Sequence, residues 1–598
     1  MKRFLMLVTA GLLLFGFMSC DFGLQNIMGT SSSFLSTGST SKELSVAEVY
    51  NRISEPLCDP PIQNVGIPYT FDVKQRMAEL AHAFFYGNGN GGLRETKIYY
   101  ECAGNPNLAV IYDAGDNAID QWVPEQQKWV QKHYSGVVKS EGQSYGMMMC
   151  VQLGWKAEFD KLWMFAWHHM MHPTQYDKNR ETEVGEELKY FFNWIVDVDN
   201  ETKDYHLTFF PQDEGDPDNP ASRIRHGASR QAPDEKPAPD GEEYFAMALM
   251  LAHERWGSES GDENPKNYLL YAQRISNSII RKNAGKNMMF GLPWDVTIDP
   301  IFQETLGNND HLICFQPNAD GFKFTDPSYM LPRFYHRFAY YAVDDAARDR
   351  YTTIAQTTRD FLKNRLIKAD ASKPFPADFT TFDGNPWNPQ YQWWQNPQGS
   401  DQLPWDWSHD QFKYDAWRVP MNIGMDAGWS GAGEATYGDS SEVDGTGNHI
   451  PWMNRYANEY VKKIWNSRDS NGIFPAFWDA YYQAPATFSN GNGGTNIYFS
   501  YATSRYEPGL VATTAVLATW VSEDSPSLKA LANQLILEAW NNKNMGDNGD
   551  VGEIMPYGTY RYYKSCLTML SMMYLCGYHH ITSNVEQYQN LDADELIM

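Results

Sequence analysis

The stretch Pro237-Ala238-Pro239-Asp240-Gly241-Glu242-Glu243-Tyr244-Phe245-Ala246-Met247-Ala248-Leu249-Met250-Leu251-Ala252 decides the fold class. From Tyr244 to Ala252 it is apolar nearly all round, and a helix of that kind is stable only when every face is covered. The prolines stiffen the approach and put Asp240 at or near the helix N-cap, where a short acceptor side chain is favoured. The cover comes from further helices. Apolar residues at three-to-four spacing predict amphipathic helices over 72–86, 144–157, 265–283, 328–346, 349–367, 413–425, 453–467, 508–522, 527–541 and 562–577. Alternating strand patterns are few. The connections are long and rich in Gly, Pro, Asn and Trp, as in 205–240 and 381–411, and loops of such length in a packed protein usually carry function. The expectation is an all-α fold of helices paired in rings. No composition break falls within 43–585, so 43–598 is read as a single domain with a frayed tail from Asp592 to Met598.

Composition narrows the partners. A formal net charge of −26 repels phosphate and argues against nucleic acid. Aromatic residues make up 15%, with 20 Trp and 36 Tyr; such side chains join a wide apolar face to a polar edge. That suits the C–H faces of sugar rings as well as it suits a large core. No cofactor, no metal and a monomeric state are expected.

Lys2 and Arg3 precede an apolar run from Phe4 to Phe17 that ends at Met18-Ser19-Cys20. A basic start, a short apolar segment and a small residue near its end describe a secretory signal over 1–19; the run is short for a membrane span. Phe17-Met18-Ser19-Cys20 resembles a loose bacterial lipobox, which would make Cys20 the lipidated first residue. Residues 20–42, rich in Ser, Thr and Gly, then form a flexible tether. The expected location is extracytoplasmic, on a bacterial membrane. Of the six remaining cysteines, Cys58 and Cys102 could pair in an oxidising compartment, whereas Cys150 and Cys566 lie in apolar stretches and read as buried thiols.

Three acidic segments could carry chemistry. In Lys139-Ser140-Glu141-Gly142-Gln143-Ser144-Tyr145-Gly146-Met147 a Glu opens a helix between small residues that let a ligand approach the backbone. Asp240 opens the buried helix. In Phe412-Lys413-Tyr414-Asp415-Ala416-Trp417-Arg418-Val419-Pro420 an Asp and an Arg three apart share a helix face in aromatic surroundings. Each segment alone also reads as a helix cap or a structural ion pair.

Together, and in this order, the segments resemble glycoside hydrolase family 8, and the resemblance spans roughly residues 70–580. It implies a barrel of six inner and six outer helices. It implies Glu141 as general acid, Asp415 as base and Asp240 as the residue that grips the sugar at the cleavage point. The stretch Ala238 to Phe245 and the segment Thr325-Asp326-Pro327-Ser328-Tyr329 are most similar to the xylan and xylo-oligosaccharide branch, in which the Tyr lines the cleft. Trp194, Tyr329, Tyr414 and Arg418 are the expected substrate contacts. Inversion requires the two carboxyl groups to stand roughly 6.5–9.5 Å apart with water between them. The loop from Glu201 to Pro237 is longer than the resemblance leads one to expect. Cleavage mode hangs on Ser504-Arg505-Tyr506-Glu507-Pro508-Gly509-Leu510, similar to a segment that closes the cleft in enzymes releasing xylose from the reducing end. Glu507 stands where that segment carries a His and could accept a sugar hydroxyl. Reducing-end release is the expectation, with an endo-acting xylanase or β-glucanase as the alternative.

Other readings compete. Gly142-Gln143-Ser144-Tyr145-Gly146 is formally the G-x-S-x-G of α/β-hydrolases but lacks the alternating strand–helix context. His168 and His172 share a helix face without an HExxH, so packing histidines are expected. Asp197-Val198-Asp199-Asn200-Glu201 starts like a calcium loop but has Thr202 where Gly is required. A surface lipoprotein that only binds glycans would share the signal, tether and aromatics. The anchor has a direct check: Cys20→Ser is expected to move the protein from the membrane to the soluble fraction, and unchanged partitioning would mean that Cys20 carries no lipid.

Overall fold

The computed structural model describes residues 44–89, 95–113, 117–123, 128–134, 136–171, 190–198, 203, 237–281, 287–288, 296–297, 302–305, 310–316, 324–387, 409–429, 437, 451–470, 474–489, 495–497, 507–522, 524–541, 544–545, 551–553 and 561–581. Cys20, the tether, nearly all of the 201–237 loop, 504–506, His172 and the tail lie outside them. The helices are α1 (Val46–Arg52), α2 (Val73–Phe85), α3 (Ser140–Leu153), α4 (Lys156–Phe165), α5 (Pro239–Trp256), α6 (Tyr268–Arg281), α7 (Pro332–Tyr340), α8 (Asp345–Asp360), α9 (Arg418–Gly428), α10 (Trp452–Asn466), α11 (Pro508–Ala518), α12 (Pro526–Trp540) and α13 (Arg561–Leu575).

Two kinds of helix alternate along the chain. α3, α5, α7, α9, α11 and α13 are buried on nearly every side, and α11 is buried at every residue. The helices between them bury one face. Contacts follow that division. α3 packs on α5, α9 on α11, α11 on α13, and α13 back on α3; α5 touches α7, and the 3₁₀ turn Pro327–Tyr329 ahead of α7 touches α9. That is an inner ring. α4, α6, α8, α12 and α2 cover α3, α5, α7, α11 and α13 from outside, and α10 packs on α11 and α12. The fold is an (α/α)6 barrel, as the buried helix and the resemblance imply.

Several boundaries differ from the sequence reading, each for a local reason. The 144–157 helix begins at Ser140, which puts Glu141 in its first turn, and stops at Gly154, whose φ of 82° suits a left-handed C-cap. A separate helix, α4, follows it and was not read from the sequence. The predicted 328–346 helix is a 3₁₀ turn, a break and then α7, because Pro327 and Pro332 each start a helix and cannot continue one. The predicted 413–425 helix opens as a 3₁₀ turn, Tyr414–Trp417. Short hairpins decorate the barrel; β1 (Tyr99–Cys102) pairs with β2 (Asn105–Ile111), β3 (Asn117–Val123) with β4 (Lys128–Tyr134), and β5 (Val137–Lys139) with β6 (Ile195–Asp197).

Cys58 and Cys102 are not paired. The Cys58 thiol faces the Gly577 carbonyl at 3.7 Å and the Cys102 thiol faces that of Lys203 at 3.2 Å, so the two are packed against different segments. Among the described residues no helix is long and apolar enough to cross a membrane.

One glycine fixes how the first two inner helices meet. A Cβ on Gly241 would lie 2.6 Å from Ser140 Oγ and 2.7 Å from Ser140 Cβ. The starts of α3 and α5 therefore abut, with Glu141 and Asp240 beside the contact. Gly241→Ala should cost about 1–3 kcal/mol through overpacking and depress turnover as well; a urea melt and a rate measured on one preparation check this.

Candidate active site

The site is built where the inner helices begin. Glu141 is in the first turn of α3, Asp240 in the first turn of α5, Asp326 caps the turn before α7, and Asp415 lies in the turn before α9. Arg418, the first residue of α9, joins them. Its side chain is 3% exposed. Nη1 donates to Asp240 Oδ2 at 2.6 Å and to the Tyr145 hydroxyl on α3 at 2.6 Å. Nη2 lies 3.1 Å from Asp415 Oδ1 and 3.7 Å from Asp326 Oδ2. The rings of Tyr329 and Tyr563 flank the guanidinium, 5.5 and 5.9 Å from its centre.

Glu141 stands outside this set of ion pairs. Its Oε2 accepts a hydrogen bond from Trp194 Nε1 at 3.1 Å. Burial, then the negative charge of Asp415, hold its proton above the usual glutamate range against the pull of Lys139. Lys139 itself is held by Asp113 at 2.9 Å. Asp240 is raised to about 7, by burial and by Glu141 and Asp415, despite its bond to Arg418. Its Oδ1 accepts from the Gly241 amide at 2.9 Å.

Asp415 has an acidic flank. Carboxylate oxygens of Asp326, Asp378 and Asp415 lie within 4.8 Å of one another. Burial first, and then Asp415, keep Asp326 and Asp378 protonated well above the ordinary range. Asp378 Oδ2 is 2.5 Å from His409 Nδ1, and burial lowers that imidazole to about 3. The histidine is therefore neutral. Of the three, Asp415 lies nearest the Arg418 guanidinium, at 3.1 Å, with Asp326 at 3.7 Å. Tyr414, just before it, has φ of 39°, a sparsely populated conformation for a non-glycine residue. The Tyr563 hydroxyl donates to the Tyr414 carbonyl at 3.1 Å and helps to hold that turn.

No family model matches the chain. It is 24% identical over 511 residues to the reducing-end xylose-releasing exo-oligoxylanase Rex8A of Paenibacillus barcinonensis, covering 85% of this chain and 93% of the relative. It is 29% identical over 341 residues to a reducing-end xylose-releasing exo-oligoxylanase of Halalkalibacterium halodurans, covering 57% and 61%. The structure of Rex8A with xylose superposes with a TM-score of 0.55 over 89% of this chain and 98% of that one, at 22% identity. A GH8 xylobiose complex from Teredinibacter turnerae gives the same TM-score, coverage and identity. These structures share the barrel, and the three acidic motifs stand in family order on the starts of its inner helices. The chain is similar to these enzymes along most of its length and shares their fold.

Asp240 and Asp415, read from the sequence, meet at Arg418, and Glu141 stands beside them on Trp194. The expected substrate contacts are placed differently. Arg418 is buried and its guanidinium is engaged by carboxylates, so it organises the site. Tyr329 is 5% exposed, with its ring parallel to Phe315. Tyr414 is half-buried on Trp417 and Phe477. Trp194 is half-buried and commits its N–H to Glu141. Glu507 stands apart: 1% exposed and preceding α11, it pairs with Lys564 at 2.8 Å. A carboxylate held in that way anchors a helix start and does not reach for a sugar hydroxyl. Ser144 is buried within α3 and bonded to the Glu141 carbonyl at 2.9 Å, which is no place for a nucleophile. His168 and His169 pack on Trp167 and Phe165. Asp378, His409 and Tyr563 were missed. Asp326 lay in a quoted motif but was passed over for its Tyr.

The sign of one pH effect follows. The folded-state pKa of Asp240, about 7, exceeds the ordinary 3.8. The folded protein therefore binds the extra proton between those values, and the stability linked to that group is lost as pH rises through the window. The melting temperature of the Asp240→Asn variant should fall less steeply from pH 4 to 7 than that of the unmodified protein; parallel slopes would place the proton elsewhere.

Proposed function

We propose that this chain hydrolyses β-1,4-xylosidic bonds with inversion, releasing xylose from the reducing end of xylo-oligosaccharides. One observation carries the mechanism. Glu141 and Asp415 sit on the starts of different inner helices in opposite electrostatic settings, the first retaining a proton and the second bound to a fixed cation. That is the division of labour acetal hydrolysis needs. Asp415 takes a proton from water as its oxygen bonds to the anomeric carbon. The glycosidic bond breaks, and Glu141 gives its proton to the departing oxygen. Asp240, fixed by Arg418 and the Gly241 amide, is oriented to hold hydroxyls of the distorted ring.

Reducing-end release rests on the relatives named above and not on Glu507, whose carboxylate is engaged by Lys564. We propose further that Cys20 anchors the enzyme on an extracytoplasmic membrane face; the basic start and apolar run to Phe17 support this.

Glu141→Gln and Asp415→Asn keep shape but remove proton transfer, so each should lower kcat by roughly 10²–10⁴-fold with melting temperature nearly unchanged. Xylotetraose labelled at its reducing end should deliver all of the label as free xylose. Label in xylobiose would indicate internal cutting and the endo-acting alternative, and wild-type rates in either variant would refute the acid–base assignment.

A further inference from the structure

The first turn of α5 carries three consecutive residues with separate tasks. Asp240 binds Arg418, Gly241 admits Ser140, and Glu242 reaches the segment from Phe192 to Trp194. Glu242 is fully buried. Its Oε1 accepts the backbone N–H of Phe192 at 2.9 Å. Phe192 opens the short segment that presents Trp194. Its ring stacks on Phe245 of α5 at 4.1 Å, and the Asn193 amide bonds to the Met170 carbonyl at 2.8 Å. One residue on, the Trp194 carbonyl accepts from the Ser140 amide at 2.8 Å while its indole N–H donates to Glu141 at 3.1 Å. An unbroken path of short contacts therefore runs from Glu242 through Phe192 and Trp194 to the carboxyl of Glu141.

We propose that Glu242 is a positioning residue for the general acid: its carboxyl fixes the Phe192–Trp194 segment and so sets the indole hydrogen bond that tunes the Glu141 proton. This rests on Glu141 being the acid. The physical reason is directional. A donor aimed at a carboxyl group favours its ionised form, so the indole limits how far burial and Asp415 raise Glu141. Without the acceptor on Glu242, the Phe192 N–H is left buried and unpaired, an arrangement proteins avoid by shifting the backbone. A shift of that segment carries Trp194 away from Glu141. An acid that holds its proton too firmly donates it poorly, so the bond matters to rate as well as to pH dependence.

Three substitutions separate this role from simple packing. Glu242→Gln keeps a carbonyl acceptor for Phe192, Glu242→Met removes it at similar volume, and Trp194→Phe removes the indole donor. The proton on Glu141 is followed by carboxyl ¹³C NMR, identified by difference from Glu141→Gln, and by the alkaline limb of kcat/KM on xylotriose. Trp194→Phe and Glu242→Met should each move the Glu141 titration up by about one pH unit, the size of one hydrogen bond to a charged group. Glu242→Gln should leave it in place, and the Glu242→Met/Trp194→Phe pair should move it no further than Trp194→Phe alone. If the Met variant fails to fold, Glu242→Asp, which withdraws the acceptor by one methylene, must shift the titration in the same direction. A Glu242→Met or Glu242→Asp protein that melts lower while Glu141 titrates as in the unmodified chain would overturn the proposal and leave Glu242 a core residue. An NMR shift without a matching shift of the alkaline limb would support the link and count instead against Glu141 as the acid.

Discussion

The buried guanidinium of Arg418 is the interaction on which the rest of the site depends. A charge taken out of water in that way is stable only when it is surrounded by opposite charge and filled hydrogen bonds. Asp240, Asp415 and the Tyr145 hydroxyl provide them at 2.6–3.1 Å. The dependence runs both ways. One cation cannot compensate every carboxyl within reach, and burial beside Asp415 holds the protons on Asp326 and Asp378. Glu141 is held by an indole and not by the guanidinium, and in the proposed mechanism it is the proton donor. In that proposal two carboxyl groups take opposite roles from their distance to a single side chain.

The barrel makes that concentration possible. Arg418, at the start of α9, touches residues at the starts of α3 and α5 and just ahead of α7, so these helices open toward one end. Helix N-termini carry partial positive charge and unsatisfied N–H groups. Gathering them at one point eases the crowding of carboxylates there, and the Gly241 amide bonded to Asp240 is a direct instance. The chain has a formal charge of −26, and its site is acidic as well. A neutral substrate avoids the repulsion that a phosphate would meet.

Much of this was legible in the sequence, for reasons that also mark where legibility ends. The buried helix after Asp240 announced itself through continuous apolar residues, and α5 fixed the fold class. Glu141, Asp240 and Asp415 stood out as acids at helix starts, but each alone also reads as a cap or an ion pair, and only the resemblance of the three in order gave them roles. The three-residue spacing of Asp415 and Arg418 pointed to their pairing, but nothing local shows that the same guanidinium also reaches Asp240 and Tyr145, so Arg418 was read as a sugar contact. Glu507 was misread for the same reason, since Lys564 lies on another helix. Asp378 and His409 come from loops whose meeting is purely tertiary. The left-handed Tyr414 has no glycine to signal it, and the break before α7 follows from prolines that were visible but underweighted.

The central claim is that water attacks from the Asp415 side while Glu141 protonates the leaving oxygen from the other. The most direct measurement is the anomeric configuration of the newly formed reducing end, followed by proton NMR in the first moments of xylo-oligosaccharide hydrolysis. The account predicts the α-anomer first, with the β-anomer growing in only by mutarotation. A β-anomer formed first would mean retention through a covalent intermediate and would contradict the role assigned to Asp415.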